Sequence, residues 1–443
     1  MAKILLIGAN HAGTAAANTI LDTYPGNELT IIDRNDNISS LGCGTALWVG
    51  RQIPSSDGLF YSSAAALESK GATVHMETEV TGIDFDAKTA TAKTKNGSEL
   101  HLDFDKLILA TGSAPIMPNI PGSDLGNIQS VKLFQDGKRA DELLGKPEIK
   151  TVAVIGAGYI GVELAEAIVR RGRKALLFEA ESTSLASYYD DCMTADMDKT
   201  LGDNGVELHF GERVQSFKGD GVVSGIVTDK GDYQIDMAIM AIGFRPNATL
   251  AGGKLKTIGN GAIAVNARQE TSIPGVYAVG DCASIYSNAL RDWTYIALAT
   301  NAVRSGIVAA HNACGGSIES PGVQGSNGIS VFGYNMVSTG LSEKAAKKAG
   351  LDVLTTDFAA LQKPAFMPDN HEVKLRIVYD AKTRRVLGAQ MASRENMSMG
   401  IHMFSLAVED GVTIDRLKLL DIFFLPHFNQ PYNYITMAAL SAK

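Results

Sequence analysis

The feature that most constrains this chain is a run of three glycines in the segment TVAVIGAGYIGVELAEAIVRRG. Gly156, Gly158 and Gly161 have the spacing G-x-G-x-x-G, with an apolar strand before them and a long helical pattern after them. Such a turn lets a pyrophosphate approach the helix N-terminus, where backbone amides and the helix dipole favour negative charge. The next strand, KALLFE, ends in Glu179, which is placed to accept from a ribose 2′-hydroxyl. The segment predicts a dinucleotide-binding unit, with a ligand-free tight turn as the alternative.

A more degenerate copy of this unit begins the chain, in KILLIGANHAGTAAANTIL. Gly8 opens the turn and Gly13 permits close helix packing, but Asn10 replaces the middle glycine. The strand ELTIID ends in Asp33, 20 residues after Gly13, where a ribose hydroxyl is expected. Two such units predict an α/β protein with two Rossmann-like dinucleotide-binding domains.

The second unit favours NADH over NADPH. Glu179 and Glu181 stand where arginines would recognise a 2′-phosphate, and a carboxylate there repels that group. The nearby Arg171, Arg173 and Lys174 weaken this prediction slightly. We interpret them as residues that interact with the C-terminal end of the preceding helix.

Three further segments follow apolar strands: KLILATGSAP, MAIMAIGFRPN and IPGVYAVGDCA. Each alone could be a plain turn. Their order along the chain predicts that the second nucleotide domain is inserted into the first, and that a separate α+β domain follows. The predicted boundaries are 1–115 and 245–322 for the first domain, 116–244 for the inserted domain and 323–443 for the C-terminal domain.

Composition limits the possible partners. The 443 residues carry 48 acidic and 40 basic side chains, for a formal charge of −8. No long run of either sign is present, which argues against a nucleic-acid partner. No apolar run approaches the roughly 20 residues that cross a bilayer, and the short apolar N-terminus leads into a glycine turn rather than a cleavage site. We expect a cytoplasmic protein without a membrane segment.

One cysteine is the candidate reactive group. The four cysteines are too scattered for a disulfide framework, a C-x-x-C pair or a metal site: Cys43, Cys192, Cys282 and Cys314. Cys43 lies between Gly42 and Gly44 at the expected start of a helix, where unpaired amides would lower its pKa. His11, in the first glycine turn, could hydrogen-bond the sulfur and relay a proton. The alternatives are a buried, inert cysteine and a histidine that points to solvent.

The pairing of GANHAG with ISSLGCGTALW resembles the NADH oxidase and NADH peroxidase family of the pyridine nucleotide-disulphide oxidoreductases. The resemblance extends over the chain, through ATGS, GFRPN, GDCA and KPAFM to FFLPHFNQPYNYITMAAL, and is closest to the water-forming oxidases. It implies FAD in the first domain and NADH in the second. It also implies that Cys43 cycles between thiolate and sulfenic acid with His11 as acid–base partner, so that two NADH reduce one dioxygen to water.

By this resemblance Asp281 contacts the flavin ribityl chain, and the helix near ALATNAVRSG reaches the flavin ring. The complete set predicted to contact FAD is Gly8, Asn10, His11, Gly13, Asp33, Cys43, Val80, Ala110, Thr111, Gly112, Ser113, Lys132, Asp281, Ala297, Leu298, Ala299 and Thr300. The set predicted to contact NADH is Gly156, Gly158, Tyr159, Ile160, Gly161, Glu179, Tyr188, Gly243 and Gly328.

The last third of the chain predicts an antiparallel sheet with helices, including a turn at AKTRR. Its ending is dense in aromatic residues: Phe423, Phe424, Phe428, Tyr432 and Tyr434. This density suits an interface core, with packing inside one chain as the alternative. The resemblance implies a homodimer in which Phe424, Pro426 and His427 help to close the partner's site.

Three other functions remain open. A peroxidase would use the same centre on hydrogen peroxide. A coenzyme A disulfide reductase typically has a Pro-Tyr pair shortly after the cysteine, whereas this chain has Thr45, Ala46 and Leu47 before Trp48. A flavoprotein without turnover, acting as a redox sensor, is the most distant alternative.

Overall fold

The computed structural model describes residues 2–443. Its first sheet has five parallel strands in the order Val276–Ala278, Lys106–Leu109, Lys3–Ile7, Glu28–Ile32 and Thr73–His75. The central strand KILLI is apolar almost throughout because both faces of the sheet are covered. The helices His11–Thr23 and Ala299–Ala313 cover one face, and the strands Thr78–Asp84 and Thr89–Thr94 pack against the other. The helices His11–Thr23 and Ala299–Ala313 pack closely. A Cβ at Gly306 would lie 2.2 Å from the carbonyl oxygen of Ala12, so glycine is needed at this contact.

The second sheet repeats this parallel design. Its strands run in the order Val206–Phe210, Lys174–Glu179, Thr151–Ile155, Met237–Met240 and Ile128–Ser130. The helices of this domain are Phe134–Leu144, Tyr159–Arg170 and Asp191–Asp203. The strand Val276–Ala278 belongs to the first sheet but follows every strand of the second sheet in the sequence. The predicted insertion of one domain into the other is therefore confirmed.

Smaller elements connect and extend these sheets. Ser113–Pro115 pairs antiparallel with Phe244–Pro246 where the chain leaves and re-enters the first domain. The predicted limits at residues 115 and 245 fall within this ribbon, and the boundaries 1–115 and 245–322 stay a prediction. Antiparallel extensions are formed by Thr78–Asp84, Thr89–Thr94 and Glu99–Asp103, by Val214–Asp220, Val222–Thr228 and Asp232–Gln234, and by Ile285–Ser287 with Asp292–Thr294. Short helical segments are Gly42–Gly44, Thr45–Val49, Asp57–Leu59, Ala64–Glu68, Thr249–Ala251 and Gly280–Cys282.

The C-terminal part is the expected α+β unit. Its antiparallel strands run in the order Asn327–Val331, Tyr334–Gly340, Val386–Ser393, Glu372–Asp380 and Val353–Leu361. The turn AKTRR joins two of them, as predicted. Its helical segments are Glu343–Lys348, Ser398–Gly400, Ile401–Glu409, Ile414–Leu417 and Tyr434–Leu440. Within residues 2–443, no helix has the length and apolar character that a bilayer crossing requires.

Candidate active site

Close backbone contacts require glycine at two positions of the first glycine turn. Gly8 has φ +97°, and a Cβ there would lie 2.3 Å from the carbonyl oxygen of Ala110. At Gly13 a Cβ would lie 1.9 Å from the carbonyl oxygen of Gly8. Asn10 has an ordinary φ of −87°, which explains why the middle glycine can be replaced. The turn therefore keeps the two glycines whose backbones need them.

The second glycine turn has the same construction. Gly156 has φ +101°, and a Cβ at Gly161 would lie 1.9 Å from the carbonyl oxygen of Gly156. Near Gly158 the closest atom to such a Cβ is Cε2 of Tyr188, at 3.9 Å. The predicted NADH residue Tyr188 thus lies directly over the turn.

A carboxylate closes each turn at the end of the neighbouring strand. Oδ2 of Asp33 accepts from the amide of Ala9 at 2.7 Å, and Oε2 of Glu179 accepts from the amide of Ala157 at 2.8 Å. Burial raises the pKa of Asp33, opposed by backbone hydrogen bonds. The structure places both acids at the turns, as the sequence predicts; their contacts with ribose stay predictions.

Three distant segments meet at Asp281. Its Oδ2 accepts from Ser113 Oγ at 2.8 Å and from Lys132 Nζ at 3.2 Å. Lys132 also lies 4.5 Å from the ring centre of Phe244. Thr111, by contrast, donates its hydroxyl to the carbonyl oxygen of Asn247 at 2.6 Å. Ser113, Lys132 and Asp281 therefore form one polar group, whereas the Thr111 side chain bonds the segment that follows the strand Phe244–Pro246.

The remaining predicted flavin residues lie in the first domain. Val80 is buried in the strand Thr78–Asp84, and a Cβ added at Gly112 would meet no atom within 4 Å. The predicted helix begins at Ala299, so Ala297 and Leu298 precede it and Thr300 lies in its first turn.

Cys43 lies in the short turn Gly42–Gly44, before the helix Thr45–Val49. It is exposed and, like the other three cysteines, is not in a disulfide. Although part of its surface reaches solvent, the surrounding protein raises the pKa of the Cys43 thiol by desolvation, and Glu163 raises it further. The expected lowering of this pKa is wrong for the protein alone, because a five-residue helix offers little dipole against burial and a nearby carboxylate.

His11 begins the helix His11–Thr23 and is half-buried. Its Nδ1 lies 2.9 Å from Tyr61 Oη, and the two rings are stacked. No hydrogen bond to the Cys43 sulfur is present within the described residues, so the expected direct bond is wrong. Desolvation lowers the pKa of His11, while Asp281 opposes that shift. The histidine therefore belongs to the same electrostatic environment as Lys132 and Asp281.

Three of the predicted NADH residues, Tyr159, Ile160 and Gly161, lie at the start of the helix Tyr159–Arg170. The hydroxyl oxygens of Tyr159 and Tyr189 lie 3.0 Å apart, and the Tyr159 hydroxyl also bonds Asn327, the neighbour of Gly328. The ring of Tyr188 lies 4.4 Å from that of Tyr159. Ile160 is half-buried at the start of the same helix, and Gly243, with φ +104°, precedes the ribbon strand Phe244–Pro246.

Sequence reasoning missed Glu163 and Tyr61. Glu163 follows Tyr159 by one helical turn and therefore lies on the same face, a signal that could have identified it. Burial, with a contribution from Glu166, raises its pKa to about 7. Tyr61 lies in a loop and carries no periodic signal that links it to His11.

The C-terminal aromatic residues are mostly exposed on the single chain. Phe423, Phe428 and Tyr432 have exposed fractions of 67%, 57% and 77%, and Phe424 is also exposed. Tyr434 is instead buried in the helix Tyr434–Leu440. Packing inside one chain therefore accounts for Tyr434 but not for the others.

Comparison with known proteins agrees with this architecture. The family described as pyridine nucleotide-disulphide oxidoreductase matches residues 2–306, and its dimerisation domain matches residues 327–433. The chain is 59% identical to an NADH oxidase of Lactococcus lactis and 56% identical to one of Streptococcus pyogenes. Each match covers 100% of this chain and 100% of the relative. It is 38% identical to the structure of a water-forming NADH oxidase from Lactobacillus brevis bound to NADH, with a TM-score of 0.96, covering 99% of this chain and 98% of that one. The chain belongs to the pyridine nucleotide-disulphide oxidoreductase family.

Proposed function

We propose that this protein is an FAD-dependent NADH oxidase that reduces dioxygen to water with two NADH per dioxygen. The observation that carries the proposal is Cys43, an exposed thiol outside any disulfide, within electrostatic range of Lys132 and Asp281. A single thiol can alternate between thiolate and sulfenic acid without a partner cysteine. Similarity to proteins named NADH oxidase supports the same activity.

The residues fit FAD in the first domain. Asp33 and the turn from Gly8 to Gly13 would hold the adenosine and pyrophosphate, while Asp281 would hold the ribityl chain. Oδ1 of Asp281 has no hydrogen-bond partner within residues 2–443, which leaves it available to a hydroxyl. When bound, FAD supplies the two-electron relay between NADH and the oxidant.

The reaction balances in two halves. One NADH and a proton convert dioxygen to hydrogen peroxide. The Cys43 thiolate then attacks one peroxide oxygen, so that an S–O bond forms and the O–O bond breaks. The hydroxide that leaves takes a proton and becomes the first water. Two electrons from a second NADH, with one proton, return the sulfenic acid to thiolate and release the second water.

His11 is the residue that would move the proton. Its Nδ1 is occupied by Tyr61, and its Nε2 has no hydrogen-bond partner in the described part of the chain. Because burial lowers its pKa, the ring is mainly neutral at pH 7 and can accept a proton. Tyr61 fixes the ring orientation, so the free nitrogen would serve the chemistry.

We further propose a homodimer formed by the C-terminal domain. The exposed Phe423, Phe424 and Phe428 support it, since aromatic side chains are enriched in interface cores. In such a dimer Phe424, Pro426 and His427 would help to close the partner's site.

The test measures NADH, dioxygen and hydrogen peroxide together. The unmodified enzyme should consume two NADH per dioxygen and release no peroxide. Cys43→Ser should consume one NADH per dioxygen and release peroxide, because it lacks the thiolate that cleaves the O–O bond. Cys192→Ser, which removes another exposed thiol, is the control and should behave as the unmodified enzyme. Water formation by Cys43→Ser would contradict the cysteine cycle.

The same measurement separates the alternatives. NADH oxidation that requires added peroxide and consumes no dioxygen would indicate a peroxidase. A yellow protein without turnover would indicate a redox sensor. NADH oxidation that requires coenzyme A disulfide would indicate a disulfide reductase.

A further inference from the structure

A loop of residues 185–190 crosses the second glycine turn. At its start, the amide of Leu185 donates to the carbonyl oxygen of Ala157, within that turn, at 2.8 Å. Leu185 has φ +54°, a left-handed conformation that is unfavourable for a side chain other than glycine. The ring of Tyr188 follows directly over Gly158. The loop therefore begins in a strained conformation, which persists only where surrounding contacts hold it.

The other end is held by the C-terminal domain. Asp190 and Gln390 exchange two hydrogen bonds: the Asp190 amide donates to Gln390 Oε1 at 2.8 Å, and Gln390 Nε2 donates to Asp190 Oδ2 at 2.7 Å. Asp190 is 5% exposed and Gln390 is 1% exposed. Water has little access to this pair, so a lost hydrogen bond would leave a buried polar atom unpaired.

The antiparallel sheet of the C-terminal domain fixes the backbone position of Gln390. Asp357, Arg376 and Gln390 are directly opposite one another on three adjacent strands. Arg376 bonds Asp357 through two nitrogens, at 2.7 and 2.9 Å, and bonds Glu343 at 2.9 Å. The carboxylate of Asp190 also accepts from the amide of Glu343 at 3.0 Å, at the start of the helix Glu343–Lys348. Asp190 is thus anchored to a strand and a helix of the C-terminal domain.

We propose that Asp190 and Gln390 are positioning residues for the nicotinamide nucleotide, through which the C-terminal domain keeps residues 185–190 in place over the second glycine turn. The inference rests on the proposed function only in naming NADH and NAD⁺ as the ligands. Neither residue needs to touch the nucleotide. Holding the loop in one conformation before binding reduces the entropy that binding must otherwise remove.

The test compares Gln390→Glu with the double variant Asp190→Asn, Gln390→Glu. The single change places two carboxylates against each other, whereas the double change restores a donor opposite a carboxylate. Titration calorimetry of the holoenzyme with NAD⁺ should show the Kd of the single variant raised about tenfold. The double variant should recover part of this affinity, because the new amide at position 190 can donate to the carboxylate at position 390 but can no longer accept from the amide of Glu343 at the same atom. The KM for NADH should follow Kd, while kcat and flavin content stay unchanged.

Hydrogen–deuterium exchange gives a second measurement, since amides of residues 185–190 should exchange faster in Gln390→Glu and return toward normal in the double variant. Arg384→Gln is the control, because it breaks an ion pair with Asp415 inside the C-terminal domain; its NAD⁺ affinity should be unchanged. If Gln390→Glu does not fold, Gln390→Met removes the same hydrogen bonds without a charge.

Unchanged NAD⁺ affinity in Gln390→Glu and Gln390→Met would overturn the proposal, as would equal losses of kcat and flavin without a change in KM. These results are independent of the product of oxygen reduction. Peroxide release by the unmodified enzyme would refute the proposed function and leave the binding measurement interpretable.

Discussion

Glu179 bonds the amide of Ala157 through one carboxylate oxygen, at 2.8 Å, so the residue expected to select the nucleotide also completes the turn expected to bind it. Glu179→Gln keeps an oxygen that can accept from Ala157 but removes the charge that repels a 2′-phosphate. We expect the preference for NADH over NADPH, measured as the ratio of kcat/KM values, to fall about tenfold. Glu181→Gln is the matched control, and an equal fall in that variant would assign the selectivity to general charge.

His11→Gln should slow cleavage of peroxide about a hundredfold, since a positioned acid–base group contributes roughly that factor. Reduction of the flavin by NADH should change much less. Stopped-flow absorbance can follow the two steps separately. Tyr61→Phe removes only the partner of Nδ1 and should give a smaller effect in the same direction. Equal slowing of both steps in His11→Gln would argue against a proton-transfer role.

Glu163→Gln should make Cys43 more acidic. Glu163 raises the pKa of the Cys43 thiol, and its own pKa of about 7 means that it carries its charge mainly above neutral pH. We follow alkylation of the reduced enzyme by iodoacetamide on the peptide that contains Cys43. As pH increases, the alkylation rate should begin to rise at a lower pH in the variant than in the unmodified enzyme. Below pH 7 the two proteins should converge, because Glu163 is then largely neutral. Glu142→Gln, exposed on the neighbouring helix Phe134–Leu144, should leave the profile unchanged.

Gly161→Ala should destabilise the NADH-binding domain by about 2 kcal/mol or more, because its Cβ would overlap the carbonyl oxygen of Gly156. Gly202 offers a matched control in the helix Asp191–Asp203, where the nearest atom to a new Cβ is 3.9 Å away. Gly202→Ala should stabilise the domain by up to about 1 kcal/mol through helix propensity. Thermal unfolding and NAD⁺ titration check both variants, and tolerance of alanine at 161 would contradict the close packing of this turn.

Phe428→Asp should weaken the proposed dimer about a hundredfold in dissociation constant, since a charge would replace an exposed aromatic ring in the interface core. Light scattering coupled to size exclusion over a concentration series measures the shift. Val222→Asp, also at an exposed apolar side chain but in the NADH-binding domain, is the control. A monomeric unmodified protein would contradict the dimer itself.

Local sequence was sufficient for much of the architecture. Both glycine turns, the acids at the ends of the next strands and the AKTRR hairpin depend on residues close in sequence, and the structure places them as expected. Asn10 was harder to interpret from the motif alone, because only the backbone angle shows that glycine is not required there.

The site chemistry depended on contacts that the sequence does not encode locally. Tyr61 meets His11 across 50 positions, and Lys132 meets Asp281 across 149. The sequence pattern at Cys43 indicated a helix start and hence a lowered pKa. The opposite shift arises from burial and from Glu163, which belongs to another domain. Burial and charge at such a junction follow from packing rather than from spacing.

The inserted domain also sets the order in which the protein can assemble during translation. The sheet that contains Met237–Met240 is complete before Val276–Ala278, Asp281 and the helix Ala299–Ala313 have been synthesised. Domains generally fold as units while the chain emerges from the ribosome. The middle of the chain can therefore fold while the first sheet still lacks its last strand, and the ribosome must finish the distal segments before a flavin could be retained.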